Sequence, residues 1–258
     1  MQVQNPILYA DFPDPDVIRV GHDYYMVTTT MHLFPGAQIL HSTDLLHWSH
    51  CGYVFDRLGE TPGQRLDGEA IYGKGMWAGS LRYHAGLFHV LFTCNDTQRT
   101  YHYTAVNPEG PWMRHEIRGL YYDPSILFDD DGRVYIAYGN REITLTEMRA
   151  DLSEPLPDGL HRVILRDSDS IMLGWEGNHL QKINGHYCLF NIHWAYGDMR
   201  EQGCHVAQTL SDPFIGGVVL HHDLDGTGRG VAQGGAIDTP DGRWYLMLFQ
   251  DHGAEGRM

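Results

Sequence analysis

Three carboxylates, one tryptophan and one glutamine stand at matching places along this chain. They are Asp14 in Pro13-Asp14-Pro15-Asp16, Trp77 in Trp77-Ala78-Gly79-Ser80, Asp123 in Asp123-Pro124-Ser125, Glu176 in Glu176-Gly177-Asn178-His179 and Gln233 in Gln233-Gly234-Gly235-Ala236. If the five converge on one pocket, the chemistry they suit is hydrolysis of a glycosidic bond. One carboxylic acid protonates the leaving oxygen while a second carboxylate activates water from the opposite face of the sugar. A third carboxylate nearby raises the pKa of the acid by like-charge repulsion and keeps it protonated near neutral pH. The indole of Trp77 offers a sugar ring a flat apolar face.

Taken singly, each residue has a plainer reading. Asp beside Pro, as at Asp14 and Asp123, is ordinary turn chemistry. Glu176 after Trp175 reads as a strand-edge residue, and a lone Trp is more often core than binding platform. The run Asp129-Asp130-Asp131 reads as a solvated turn and not as a metal site. Register across a repeat is what lifts the five above these readings.

That repeat consists of turns that lead into aromatic-rich strands. It occurs as Gly21-His22-Asp23-Tyr24-Tyr25, Ala85-Gly86-Leu87-Phe88, Asp131-Gly132-Arg133-Val134-Tyr135, Asn184-Gly185-His186-Tyr187 and Asp241-Gly242-Arg243-Trp244-Tyr245. Each predicts a hairpin. The copies start about 45–65 residues apart, the spacing of four-stranded propeller blades. A second turn follows the first four copies: Ser42-Thr43-Asp44-Leu45, Asn107-Pro108-Glu109-Gly110, Ala150-Asp151-Leu152-Ser153 and Leu210-Ser211-Asp212-Pro213. No long 3.6-residue periodicity is present, which excludes a parallel α/β fold. The expectation is an all-β, five-bladed β-propeller formed by residues 1–258, with four complete blades and an incomplete fifth. The five residues named first would begin the inner strands and face the central channel.

Composition bounds the partners. Among 258 residues, 33 are acidic and 18 basic, a formal net charge of −15. Such a surface repels phosphate backbones and anionic lipid, so neither nucleic acid nor membrane is an expected partner. A neutral or cationic small-molecule substrate fits better, and nothing in the sequence sets an oligomeric state. Met1-Gln2-Val3-Gln4-Asn5-Pro6 lacks the pattern of a secretory signal. Cys51, Cys94, Cys188 and Cys204 lack metal-site spacing and read as free thiols, so a cytoplasmic location is expected.

With those motifs in hand, the chain resembles glycoside hydrolase family 43. The resemblance runs from Asn5-Pro6-Ile7-Leu8 and Phe12-Pro13-Asp14-Pro15-Asp16 through Phe34-Pro35-Gly36, Trp77-Ala78-Gly79-Ser80-Leu81-Arg82, Asp123-Pro124-Ser125 and Glu176-Gly177-Asn178-His179-Leu180 to Asp238-Thr239-Pro240-Asp241-Gly242. Thr29-Thr30-Met31-His32 and the stretch from Asp251 to Arg257 are most similar to its β-xylosidase/α-L-arabinofuranosidase branch. The resemblance implies an inverting enzyme that releases terminal xylose or arabinofuranose from xylan- or arabinan-derived oligosaccharides. Asp14 would be general base, Glu176 general acid and Asp123 the residue that tunes the acid and orients substrate. Trp77, Met31 and Phe34 would line the sugar subsite, Arg257 would bond sugar hydroxyls, and His193 is a weaker candidate that reads equally as a satisfied core histidine.

Two features depart from the family pattern. Some members hold a channel ion, often calcium, near a fifth-blade histidine; here Gln233 occupies that place. No cofactor is therefore expected to be required, with a structural calcium ion in the channel as the open alternative. The residues that usually finish the fifth blade, and the usual C-terminal β-sandwich, are not in this sequence. Two other readings remain: a carbohydrate-binding propeller with lost or reduced catalysis, and a retaining enzyme. A retaining enzyme needs its carboxylates about 5 Å apart, where an inverting one needs roughly 6.5–9.5 Å.

Overall fold

The computed structural model describes residues 4–168, 171–224 and 226–251. All regular elements among them are β-strands. The first sheet contains β1 (Asp16–Val20), β2 (Asp23–Val27), β3 (Gly36–Ser42) and β4 (Ser49–Phe55). The second contains β5 (Met76–His84), β6 (Leu87–Cys94), β7 (Arg99–Ala105) and β8 (Met113–His115). The third contains β9 (Ser125–Phe128), β10 (Val134–Tyr138), β11 (Glu142–Met148) and β12 (His161–Arg166). The fourth contains β13 (Leu173–Ile183), β14 (His186–Trp194), β15 (Arg200–Ala207) and β16 (Ile215–Leu220). Each is an antiparallel meander in chain order, which is the make-up of a propeller blade. The fifth repeat, β17 (Ala236–Asp238) and β18 (Trp244–Leu246), forms a two-stranded sheet. Four blades are therefore complete, and the five-bladed expectation is met only to that extent.

The predicted hairpin turns join the first two strands of every sheet. Gly132 shows why they carry glycine. Its φ is +83° and an added Cβ would meet nothing, so conformation and not space demands the residue. The second set of turns joins the third and fourth strands of each complete blade.

The core lies between blades rather than at one centre. Val27, Ile39 and Phe55 of the first blade pack on Leu81, Val90 and Phe92 of the second. Leu91 of the second packs with Ile126 and Ile136 of the third. Leu127 and Leu145 of the third pack with Leu180 and Leu189 of the fourth. Ile237 of β17 packs with Val17 and Met26 of the first blade. The alternating apolar residues of each strand thus serve two interfaces, one per sheet face.

A polar pin ties the inner strands together. Asp16 Oδ2 accepts the Leu81 N–H at 2.8 Å and Arg82 Nη1 at 2.7 Å. Its Oδ1 lies 3.2 Å from His179 Nδ1. Arg82 reaches on to the third blade, donating to the Ile126 carbonyl at 2.8 Å and to Ser125 Oγ at 3.0 Å. Gln181 of β13 donates to and accepts from the Ala236 backbone, both at 2.8 Å. An Arg19–Asp238 ion pair then joins β17 to β1 and closes the ring.

Candidate active site

At the head of each inner strand the backbone turns through the left-handed region. Asp14 has φ +52°, Asp123 +47° and Gln233 +57°. In the second and fourth blades the turn falls one residue later, at Ala78 (+22°) and Gly177 (+61°). Left-handed φ is unfavourable for a residue with a Cβ and is tolerated best by Asp and Asn. Its recurrence at or one residue after the five positions singled out by the repeat marks one rim of the propeller as a built site. The same turns break the ladders of β5 with β6 and of β13 with β14 beside Trp77 and Glu176.

Asp14 is held by Thr29, whose hydroxyl donates to Oδ2 at 2.6 Å while its oxygen accepts the Ala78 N–H at 2.7 Å. The first and second blades thereby set the carboxylate jointly. Asp14 is partly exposed, yet its pKa is raised by burial, which outweighs the Thr29 bond and the influence of His179 and Arg200. A carboxylate both reachable by solvent and desolvated suits the floor of an open pocket.

Asp123 is 5% exposed. Its Oδ2 accepts the Gly177 N–H at 3.0 Å, and its carbonyl accepts from Asn178 Nδ2 at 2.8 Å. Burial, then repulsion from Glu176 and Asp14, raise its pKa well above the usual carboxylate range. Glu176 accepts from Asn140 Nδ2 and from the Tyr122 hydroxyl. Burial and the charge of Asp14 nonetheless raise its pKa, against the Asn140 bond and the Arg200 charge. The charge of Asp14 thus bears on both Asp123 and Glu176. Three carboxyl groups from three blades thus feel one another in one partly desolvated space.

The other predicted residues fall into three groups. Gln233 stands beside the turn after Glu176, while Trp77 and Met31 lie close in sequence to Ala78 and Thr29, the pair bonded beside Asp14. Met31 exchanges backbone hydrogen bonds with Met76, at 2.9 and 3.0 Å, which sets it beside Trp77, whose Nε1 donates to the Gly73 carbonyl at 3.1 Å. Gln233 packs against Gly177 so closely that a Cβ there would stand 2.5 Å from Cδ of the glutamine. Phe34 lies edge-on to Phe55 at 6.3 Å, against the core between the first two blades. His193 is not brought to the carboxylates as a free side chain. Its Nδ1 is 2.7 Å from Glu201 Oε1, its Nε2 3.1 Å from Asp167 Oδ2, and it stacks on Trp175 at 4.2 Å. That is the satisfied core histidine of the plainer reading, used to brace the strand carrying Glu176. Arg257 lies outside the described residues.

Sequence reasoning missed Thr29, Tyr122, Asn140, Asn178 and Arg200. Tyr122 directly precedes Asp123, and that adjacency was the available signal. Thr29 and Asn140 reach a carboxylate from another segment, Asn178 reaches the Asp123 carbonyl across blades, and Arg200 acts only through its charge, so no local pattern marks them. The channel donors among the described residues supply few of the about six to eight oxygen ligands that a calcium ion takes. Asp16 is already occupied by Arg82 and His179, and Gln233 adds one neutral oxygen. No set of three or more metal-ligating acidic, histidine or cysteine side chains converges among the described residues.

A β-propeller with three desolvated carboxyl groups carried by the inner strands of three blades and the turns before them is the class that fold and site define. Residues 3–257 match the model of glycosyl hydrolases family 43, and the chain belongs to that family. A solved bifunctional GH43-CE protein of Bacteroides eggerthii is 45% identical, with a TM-score of 0.90, covering 98% of this chain and 33% of its own. A non-reducing end alpha-L-arabinofuranosidase of Bacteroides ovatus is 33% identical over 95% of this chain and 47% of its own length. A xylosidase/arabinosidase of Butyrivibrio fibrisolvens is 30% identical over 98% of this chain and 52% of its own. The chain therefore spans about half the length of these two curated relatives.

Proposed function

We propose that this chain is the catalytic propeller of an inverting glycosidase that releases terminal xylose or arabinofuranose from xylan- or arabinan-derived oligosaccharides. The observation that carries the reading is the Asp14–Asp123–Glu176 cluster, in which burial raises all three carboxyl groups and the charge of Asp14 adds to it at Asp123 and Glu176. Asp14, retaining solvent contact and flanked by His179 and Arg200, is the base that takes a proton from water. Glu176, raised by burial and by the charge of Asp14, keeps its proton and delivers it to the leaving oxygen. Asp123, locked by the Gly177 N–H, sets the proton affinity of Glu176 and orients the sugar. Trp77 and Met31 form the apolar wall against which the ring lies, and Gln233 contributes a neutral polar group. In inversion the water attacks from the Asp14 side as the bond to the leaving oxygen breaks on the Glu176 side. The names of the relatives support both sugars, and the two-stranded sheet fits the inner half of a fifth blade. Trp244, Tyr245 and Leu246 of β18 are 40–45% exposed, as strands awaiting outer neighbours would be.

Turnover of nitrophenyl β-D-xylopyranoside, nitrophenyl α-L-arabinofuranoside and the matching oligosaccharides tests the reading. Release of a monosaccharide from the non-reducing end is expected. Binding of the oligosaccharides without cleavage by folded protein would replace the enzyme with a carbohydrate-binding propeller.

A further inference from the structure

Arg200 begins β15, third strand of the fourth blade, and its backbone is in register with Trp194. Ile192, two residues before Trp194, pairs with Glu176. Arg200 therefore lies at the same end of the blade as the proposed acid. Its guanidinium is two-thirds or more covered, pairs with Asp251 and lies over the rings of Trp194 and Phe249, at 5.3 and 5.7 Å. Phe249 is bridged to Ala232, next to Gln233, so the ion pair spans from the fourth blade to the segment around the fifth sheet. Arg200 Nε is buried without a hydrogen-bond partner. A buried N–H of a charged group left unpaired is costly unless something else fills the place. The charge of Arg200 also acts on Asp14 and Glu176, which belong to different blades, so it lies near both.

We propose that Arg200 and Asp251 form a charge-neutral clamp for neighbouring hydroxyl groups of a neutral sugar, seated between the proposed base and acid. This rests on the glycosidase reading above and deepens it. The guanidinium offers donors, the carboxylate offers acceptors, and the pair carries no net charge. That matches a hydroxyl pair, in which each group both gives and takes a hydrogen bond. A uronic acid does not suit the place, because its carboxylate would face Asp14, Glu176 and Asp251 with a single cation among them. The flanking Trp194 and Phe249 rings hold the fork rigid, so little side-chain entropy is lost when sugar binds.

The test is a cycle between enzyme and substrate, using the full protein. Each active nitrophenyl glycoside is compared with its monodeoxy analogues for wild type and for Arg200→Met, which keeps the apolar stem. With wild type, removing the clamped hydroxyl lowers kcat/KM by about 10- to 100-fold, the worth of a hydrogen bond to a charged group. With Arg200→Met the parent substrate suffers a similar loss, and the same deoxy analogue suffers no further one. Both limbs of the pH profile also move to higher pH, because the cation that holds Asp14 and Glu176 down is gone. Additive losses, or a profile that stays in place, overturn the clamp while leaving the glycosidase reading intact. No turnover of any glycoside by wild type overturns that reading and the clamp with it. If Arg200→Met does not fold, Arg200→Lys retains the charge but not the fork and carries the same cycle.

Discussion

Among single residues, three carboxyl groups divide one job in the proposed function. Removing the acid hurts most where the leaving group needs a proton. Glu176→Gln is expected to lower kcat on unactivated oligosaccharides by about 10²–10⁴-fold, the usual worth of general acid catalysis, and to spare nitrophenyl glycosides. Equal loss on both, measured by steady-state kinetics, would remove Glu176 from that role. Asp123 yields a prediction about stability. Its pKa in the fold is raised above the ordinary 3.8 by burial and by its charged neighbours. The stability it contributes is therefore full below 3.8 and lost as pH rises through the higher folded value. At neutral pH the group is a net cost. Asp123→Asn, which can still accept the Gly177 N–H, is expected to raise the melting temperature at pH 7 while lowering activity. In a domain of this size each 1 kcal/mol recovered is worth about 2–4 °C. The gain should shrink toward pH 4, and thermal melts across that range check it.

At the scale of elements, the inner strands are held by the Asp16–Arg82–His179–Ser125 pin as much as by apolar packing. Burial alone would raise the pKa of Asp16, but Arg82 and His179 outweigh it and lower it. Its stabilising share is thus present above the ordinary value and lost as pH falls through the lower folded one. Arg82→Met leaves a carboxylate that is 1% exposed without its main counter-charge. A loss of about 3–5 kcal/mol is expected, with part of it recovered when Asp16→Asn is added. A melting temperature unchanged in Arg82→Met would show that the pin does not hold the ring. The contrast with the hairpins explains what the sequence could disclose. Gly21, Gly86, Gly132, Gly185 and Gly242 announce their turns because the cause is local backbone conformation. The blade repeat and the register of Asp14, Asp123 and Glu176 follow from counting along it. Asp16 and His179 stand 163 residues apart, and Asp16 and Arg82 stand 66 apart, so nothing local pairs them. Arg200 stayed hidden for the same reason, since its partner Asp251 lies across a different sheet. His193 stood in an aromatic strand near the acid, and only tertiary structure reveals Glu201 and Asp167 at its two nitrogens.

At the scale of the whole molecule, the ring of inner strands brings residues from across the chain onto one rim. Its core is divided among the interfaces between blades, so each blade is stabilised by its neighbours. The fifth sheet, with β17 joined to the fourth blade through Gln181 and to the first through Arg19, completes the circle on which the site depends. The net charge of −15 repels anionic groups, in keeping with the neutral sugar of the proposed function. The central claim is that Asp14 and Glu176 act from opposite faces of a sugar in a single displacement. It is tested most directly by proton NMR of the first-formed monosaccharide during hydrolysis of a xyloside or arabinofuranoside of defined anomeric configuration. The expected result is product of the opposite configuration, appearing before mutarotation. Product of the same configuration would contradict the account, because it would require a covalent sugar ester where the account places a water molecule.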